Sequence, residues 1–388
     1  LYTLYTPLSK LVIIITIWSN LIMDKRIRIA GIVGAIIFAI VIWTDILPSN
    51  PPPIPEPITS SDTEFVQVLA TNLEKPWGFD FAGDKIFVTE KVGRIRVIES
   101  GVLLEDPLAT LRTVNAFDGG LLGIAVHPNF EKNHFLYVYF TYENDGKLWN
   151  KILRITESEN KLVDVETIFD EIPGSAFSNG GILKFGPDGK LYAGTGTVSD
   201  SSHGSQDLQS LEGKILRLND DGTIPDDNPF SDSPVFSYGH RNSKGMAWDE
   251  SGNLFVTELG PTKNDEINLV QPGKNYGWPE QECAGSEKFV DPLVCYDPAM
   301  EPGGIVFYSG DKLNLENSLI MAGLRGSGLF SLNIDNNMID EQKSIISGIG
   351  RIRDVNQGPD GYLYLITSNT DGKAFPDKND DKLLRITK

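Results

Sequence analysis

A short unit recurs along this chain: a turn built on Asp-Gly or a relative, then a strand of Leu-Tyr-Val type. It reads Gly83-Asp-Lys-Ile-Phe-Val-Thr89, His134-Phe-Leu-Tyr-Val-Tyr139, Gly186-Pro-Asp-Gly-Lys-Leu-Tyr-Ala193 and Ser251-Gly-Asn-Leu-Phe-Val-Thr257. It returns more weakly as Asn317-Ser-Leu-Ile-Met-Ala322 and clearly as Gly358-Pro-Asp-Gly-Tyr-Leu-Tyr-Leu365. Asp-Gly ahead of alternating apolar residues is a strong hairpin signal. Six copies, roughly 45–65 residues apart, fit the blades of a β-propeller, each a four-stranded sheet. Phe65-Val-Gln-Val-Leu69 and Lys382-Leu-Leu-Arg-Ile386 are strands that can share one blade and so close the ring, removing the open edge. A β-sandwich, the second choice, would place its turns at shorter and more even intervals. The expectation is an all-β, six-bladed propeller over residues 64–388.

Glycine (38 residues) and proline (23) favour turns over long helices, and an apolar share of 40% supplies a core. With 34 Lys and Arg against 53 Asp and Glu, the net charge is −19. That balance argues against a nucleic-acid partner, because phosphate binding needs clustered cations. Cys283 and Cys295 lie far in sequence from all four histidines, so a zinc site is disfavoured. A single disulfide in an exported domain is the preferred reading, with two unpaired thiols as the alternative.

The N-terminal region implies a membrane. Residues 29–44 (IAGIVGAIIFAIVIWT) are almost unbroken apolar sequence, close to the ~20 residues a spanning helix needs. Lys25, Arg26 and Arg28 precede them, which orients the N-terminus inward and everything after it outward. No small-residue cleavage site follows, so we expect an uncleaved signal anchor over 23–47. Translation is expected to start at Met23, with residues 1–22 a spurious extension. The stretch 48–63, rich in proline, reads as a polyproline spacer. These features place the chain as a single-pass protein of the cell membrane, its propeller on the extracellular or periplasmic side.

Further motifs follow in a fixed order. Gly119-Gly-Leu-Leu-Gly-Ile-Ala-Val-His-Pro-Asn-Phe130 precedes Asn179-Gly-Gly-Ile-Leu-Lys-Phe185 and Gly213-Lys-Ile-Leu-Arg217. Then come Tyr238-Gly-His-Arg-Asn242, Thr257-Glu-Leu-Gly-Pro261, Asp265-Glu-Ile-Asn268, Asn275-Tyr-Gly-Trp-Pro279 and Gly350-Arg-Ile-Arg-Asp-Val355. In this order they resemble the soluble PQQ-dependent aldose (glucose/sorbosone) dehydrogenase family over about residues 64–388.

The resemblance implies a set of site residues. PQQ is a planar ortho-quinone bearing three carboxylates, and guanidinium forks suit carboxylates. Arg241, Asn242, Arg351 and Arg353 match the family's cofactor contacts, and Arg325 falls where many members carry Lys. Period-two spacing places Arg351 and Arg353 on one side of a strand. The main-chain oxygens of Gly260 and Pro261 match a calcium beside the quinone. Glu266 and the carbonyl of Tyr276 match a second, structural calcium, an oxygen-only set that a hard cation prefers. Read without the motifs, these arginines could equally pair with surface acids.

Several positions depart from the family pattern. Ser178 stands where the family places the histidine that takes the substrate's hydroxyl proton, and Thr197 where it places a supporting Asp. A serine hydroxyl cannot replace imidazole unaided. Asp118 replaces a Gln, and Leu259 replaces a polar residue. Candidate substitute bases are His203, for which an exposed loop histidine is the preferred reading, and Asp118, provided that burial raises its pKa. His240 is expected to support its turn, and His127 and His134 to sit at strand ends. The resemblance therefore implies a PQQ-dependent oxidoreductase acting on the CH–OH group of an aldose or related polyol. Calcium would assist hydride transfer to the quinone, and an unidentified acceptor would take the electrons. The alternative is a propeller that has lost this chemistry and binds a ligand, glycan or protein outside the cell.

Overall fold

The computed structural model describes residues 65–388 apart from 201–202, 316 and 336–337. The expected signal anchor and proline-rich spacer lie outside the described residues. Among those described, no helix is long and apolar enough to cross a membrane.

Six antiparallel sheets follow one another along the chain, five built in simple sequence order. The first strands of the blades are Pro76–Ala82, Leu121–Val126, Gly180–Phe185, Ser243–Trp248, Pro302–Tyr308 and Ile352–Gln357. Each packs against the first strand of the blade before and the blade after, so together they form a ring around the axis. The sixth blade is closed by the chain's earliest described strand. Val66–Ala70 pairs antiparallel with Leu383–Ile386, with Val66 opposite Ile386 and Gln67 opposite Arg385. This closure is the one expected, and it leaves the ring no open edge.

The six recurring units of the sequence all become the second strand of a blade, from Lys85–Glu90 in the first to Leu363–Thr367 in the sixth. A second strand has neighbours on both edges and on both faces, which explains its nearly continuous apolar sequence. Tyr137, Tyr139 and Leu136, for example, are completely buried. The buried tyrosines satisfy their hydroxyls on distant loops: Tyr139 donates to the Asn179 carbonyl at 3.0 Å and Tyr308 to the Gly361 carbonyl at 2.9 Å.

Every inner strand breaks register within its first residues. The breaks fall at Pro76/Gly78, Leu121/Ile124, Gly180/Leu183, Ser243/Gly245, Pro302/Ile305 and Ile352/Asp354. A bulge inserts a residue without a partner and re-aims its side chain. Glycine at the same place lets neighbouring strands touch. A Cβ on Gly123 would lie 2.2 Å from the Gly181 oxygen, and one on Gly245 would lie 2.5 Å from the Gly303 oxygen. The bulged residues in three of these strands are Trp77, Lys244 and Arg353, and they converge at one end of the axis. Cys283 and Cys295 form the disulfide that the sequence favoured.

Candidate active site

A cluster of cations on the axis is built on those bulges. The Arg353 guanidinium lies over the Trp77 ring at 4.7 Å, and the Lys244 ammonium lies 5.9 Å from the same ring. The Lys244 side chain has no exposure, and its Nζ donates to Asp118 Oδ2 at 2.8 Å and to the Gly180 carbonyl at 3.2 Å. Lys91 donates to the Phe117 carbonyl beside Asp118. Three cations thus surround one carboxylate.

Burial governs the charge state of all three. Burial pushes Lys244 down to about 8, and Lys91 likewise to about 8, although Asp118 opposes the shift in both. Arg353 is lowered for the same reason. Burial would raise Asp118, but Lys244, Lys91 and Arg353 outweigh it and hold the carboxyl below its ordinary range. The expectation that desolvation would turn Asp118 into a stronger base is therefore corrected: the surrounding cations win.

The other arginines sit around this centre, each already engaged. Arg241 donates to the Leu259 and Gly260 carbonyls at 2.8 Å each and to Asp200 through Nε at 2.9 Å. Arg351 reaches Glu301 at 3.2 Å and Asp371 at 3.3 Å, and exposed Arg325 lies 3.6 Å from Glu301. Arg351 and Arg353 share the charge of Asp371 but not the strand face that period-two spacing predicted. The bulge at Arg353 breaks the period and turns it over Trp77, whereas Arg351 precedes the strand and faces acids. Asn242 is buried, with its Oδ1 accepting from the Gly180 N–H at 2.9 Å. It braces the third inner strand against the fourth.

Ser178 is buried in a loop closed on itself. Its N–H donates to Ser175 Oγ at 2.8 Å, and Ser175 Oγ donates back to the Ser178 carbonyl at 3.1 Å. The next N–H, of Asn179, donates to Asp118 Oδ2 at 3.2 Å, so Ser178 and Asp118 are neighbours in space. Thr197 is buried, with a hydroxyl that finds no partner among the described residues. His203 is exposed, and its carbonyl accepts from the N–H groups of Gln206 and Asp207. His134 is a turn residue at the end of a single helical turn, while His127 accepts from the Asn129 N–H at 2.9 Å.

All four residues matched to calcium line one small cavity of about 20 Å³, together with Glu258, Leu259, Asn264 and Trp278. Glu258 takes the Arg241 N–H at 2.8 Å and pairs closely with His240, which is fully buried and stacked on Tyr276 at 4.7 Å. His240 thus supports its turn as expected. Burial, together with the nearby charge of Glu258, pushes Glu266 up to about 8. Asn268 Nδ2 lies 3.2 Å from an oxygen of each carboxylate, and its own Oδ1 has no partner among the described residues. Glu258 is partnered by His240, whereas Glu266 is raised by burial and the Asn268 Oδ1 is orphaned, and these two are the oxygens a hard cation would satisfy. Among the described residues, no group of three or more His, Cys, Asp or Glu side chains is assembled for a metal. Any cation here would lean on backbone oxygens.

The sequence reading missed Trp77, Lys91 and Lys244. The one signal for Lys244 was a lysine inside an otherwise apolar, glycine-bearing strand start, Ser243-Lys-Gly-Met-Ala-Trp248.

A six-bladed propeller with Lys91, Lys244 and Arg353 clustered at one end of its axis defines the class. The glucose/sorbosone dehydrogenase family model matches residues 73–384, and the chain belongs to that family. It is 33% identical over 343 residues to an aldose sugar dehydrogenase of Escherichia coli strain K12, covering 80% of this chain and 91% of the relative. A PQQ-bound aldose sugar dehydrogenase from Streptomyces coelicolor superposes with a TM-score of 0.75 at 38% identity, covering 83% and 97% of the two chains. Human Hedgehog-interacting protein is 29% identical over 258 residues, covering 54% of this chain and 37% of that protein.

Proposed function

We propose that the axial pocket binds PQQ and that the protein oxidises the CH–OH group of an aldose or related polyol, with calcium at the cavity beside it. The observation that carries this reading is the surplus of cations on the axis. Lys91, Lys244 and Arg353 gather around Asp118, with Asp371 the next carboxylate to act on Lys91 and Arg353, and burial lowers the pKa of each cation. A planar tricarboxylate would bring further negative charge to these cations. When bound, PQQ supplies the two-electron acceptor. The Gly260 and Pro261 carbonyls would hold the calcium beside the quinone, once Arg241 releases the Gly260 oxygen that it now binds, and Glu266 with the Tyr276 carbonyl would hold the second, structural calcium.

A substrate hydroxyl would meet Asp118, which can accept its hydrogen bond without being a strong proton acceptor. It is the carboxylate nearest the Ser178 loop, it is ionised throughout the neutral range, and Lys244 fixes its orientation. Its low pKa makes it a weak base, so the expected turnover is slow. The protein is further proposed to be held at the membrane by residues 23–47, with the propeller outside and an external acceptor taking the electrons. The charge pattern around residues 25–44 supports that topology.

The second reading, a propeller that binds a ligand without chemistry, is favoured by the buried hydroxyls of Ser178 and Thr197 in place of a base and its orienting acid. One assay separates the two: dye-linked sugar oxidation by the PQQ-loaded chain and by Ser178→His with Thr197→Asp. Oxidation by the wild type that rises in the double variant supports the quinoprotein reading. A rate of zero in both, with PQQ bound, supports the binding protein.

A further inference from the structure

Phe117 and Phe177 stand largely out in solvent, at 73% and 69% exposure, with ring centroids 4.8 Å apart and planes inclined at 46°. Each immediately precedes a residue of the pocket, Asp118 or Ser178. The loops that carry them are firmly tied. Ser175 Oγ accepts from the N–H groups of Phe177 at 3.2 Å and Ser178 at 2.8 Å, and the Asn179 side chain closes the loop on the Ser175 N–H and carbonyl at 2.9 and 2.7 Å. Phe117 has φ 49°, a left-handed conformation that a bulky side chain rarely adopts, and Lys91 holds its carbonyl. The Asp118 N–H donates to the Ala176 carbonyl at 2.9 Å, joining one loop to the other. Two rigid loops therefore hold an aromatic pair in water, beside the pocket, where folding alone gives it nothing to pack against.

We propose that Phe117 and Phe177 form a platform on which the pyranose ring of the saccharide substrate stacks, with Asp118 and Lys91 receiving its hydroxyls. The inference rests on the sugar-oxidising reading of the site and narrows it. A pyranose with equatorial hydroxyls presents a flat face of C–H bonds, weakly positive, that complements the negative face of an aromatic ring. Its hydroxyls radiate from the edge, where a carboxylate and an ammonium can take them. An open-chain polyol has no such face. The platform therefore selects ring-form aldoses and their glycosides over linear polyols.

Calorimetric titration of the full chain with glucose, cellobiose and sorbitol, in calcium and with or without PQQ, tests the platform. Glucose and cellobiose should bind at least tenfold more tightly than sorbitol. Phe117→Ala with Phe177→Ala should weaken both sugars at least tenfold, Phe117→Tyr with Phe177→Tyr should restore them, and the unfolding midpoint and PQQ affinity should not move. Unchanged sugar affinity in the alanine pair overturns the platform, as does a wild type that binds no sugar. Reduced self-association without any change in sugar binding also overturns it, assigning the pair to a protein contact. Sugar binding without PQQ binding sinks the cofactor reading alone.

Discussion

Lys244 and Asp118 meet at 2.8 Å across the mouth of the axis, one from the fourth inner strand and the other from the approach to the second. The third blade lies between them, so the pair ties together parts of the ring that share no sheet. The ammonium has no solvent exposure, and the carboxylate side chain is 22% exposed. A charge so placed is tolerated because its partner is in direct contact.

Removing the cation should therefore cost both folding and binding. Lys244→Met leaves Asp118 without its closest counter-charge, and breaking a buried pair from one side typically costs about 3–5 kcal/mol. Chemical denaturation should show a loss toward the low end of that range, because Lys91 and Arg353 still face the carboxylate. PQQ affinity should fall at least tenfold. An unchanged affinity would remove Lys244 from the cofactor site.

The same cations give anion binding a pH limit. Lys91 and Lys244 lose their protons near pH 8 in the free protein, and a bound polyanion favours their charged forms. Affinity for PQQ should be flat below about pH 7 and fall as the pH rises through 8 to 9. Lys244→Met should flatten that fall. Titrations at a series of pH values check both.

Deeper on the axis, Asp354 accepts from the Val355 N–H at 2.9 Å and the Phe79 N–H at 3.4 Å. Burial lifts it from 3.8 to about 6, although Lys184 opposes the shift. With the folded pKa raised, its contribution to stability is fully present below about pH 4 and is lost as the pH climbs through 6. At about 1.4 kcal/mol per unit, the ionised form costs the fold as much as about 3 kcal/mol at neutral pH. Asp354→Asn should accordingly be more stable than wild type at pH 7.5 and lose that advantage at pH 4. Urea denaturation at the two pH values decides it.

The disulfide reaches the proposed calcium cavity. The Cys283 N–H donates to Glu266 Oε1 at 2.7 Å, while Cys295 lies opposite Glu266 in the sheet register. Cys283→Ser with Cys295→Ser opens a short loop and should cost about 3 kcal/mol by loop entropy. Calcium should raise the unfolding temperature of wild type by more than it raises that of the variant. Equal calcium shifts in both would separate the disulfide from the cation.

The fold was legible because each blade repeats one Asp-Gly-type turn and one apolar second strand, and because the terminal strands match in kind. The disulfide could be favoured because its two cysteines lie only 12 residues apart and have no histidine near them. The floor of the site was less legible. Lys244 and Trp77 owe their direction to bulges, which depend on register against the second strand and leave no local mark. Lys91 lies just past a strand end, where a lysine ordinarily points to water. Arg241 and Arg351 were identified by their motifs, but their present partners, Asp200, Glu301 and Asp371, come from other loops and only the fold brings them close. His203 could not be placed by its spacing to Thr197, and it lies exposed.

The most direct test of the central claim is calorimetric titration of the full chain with PQQ in calcium. The account predicts saturable binding of about one equivalent, weakened by chelation of calcium and by Lys244→Met. Absence of binding up to tens of micromolar, about −6 kcal/mol or weaker, would contradict it and leave the axial cations to some other anion.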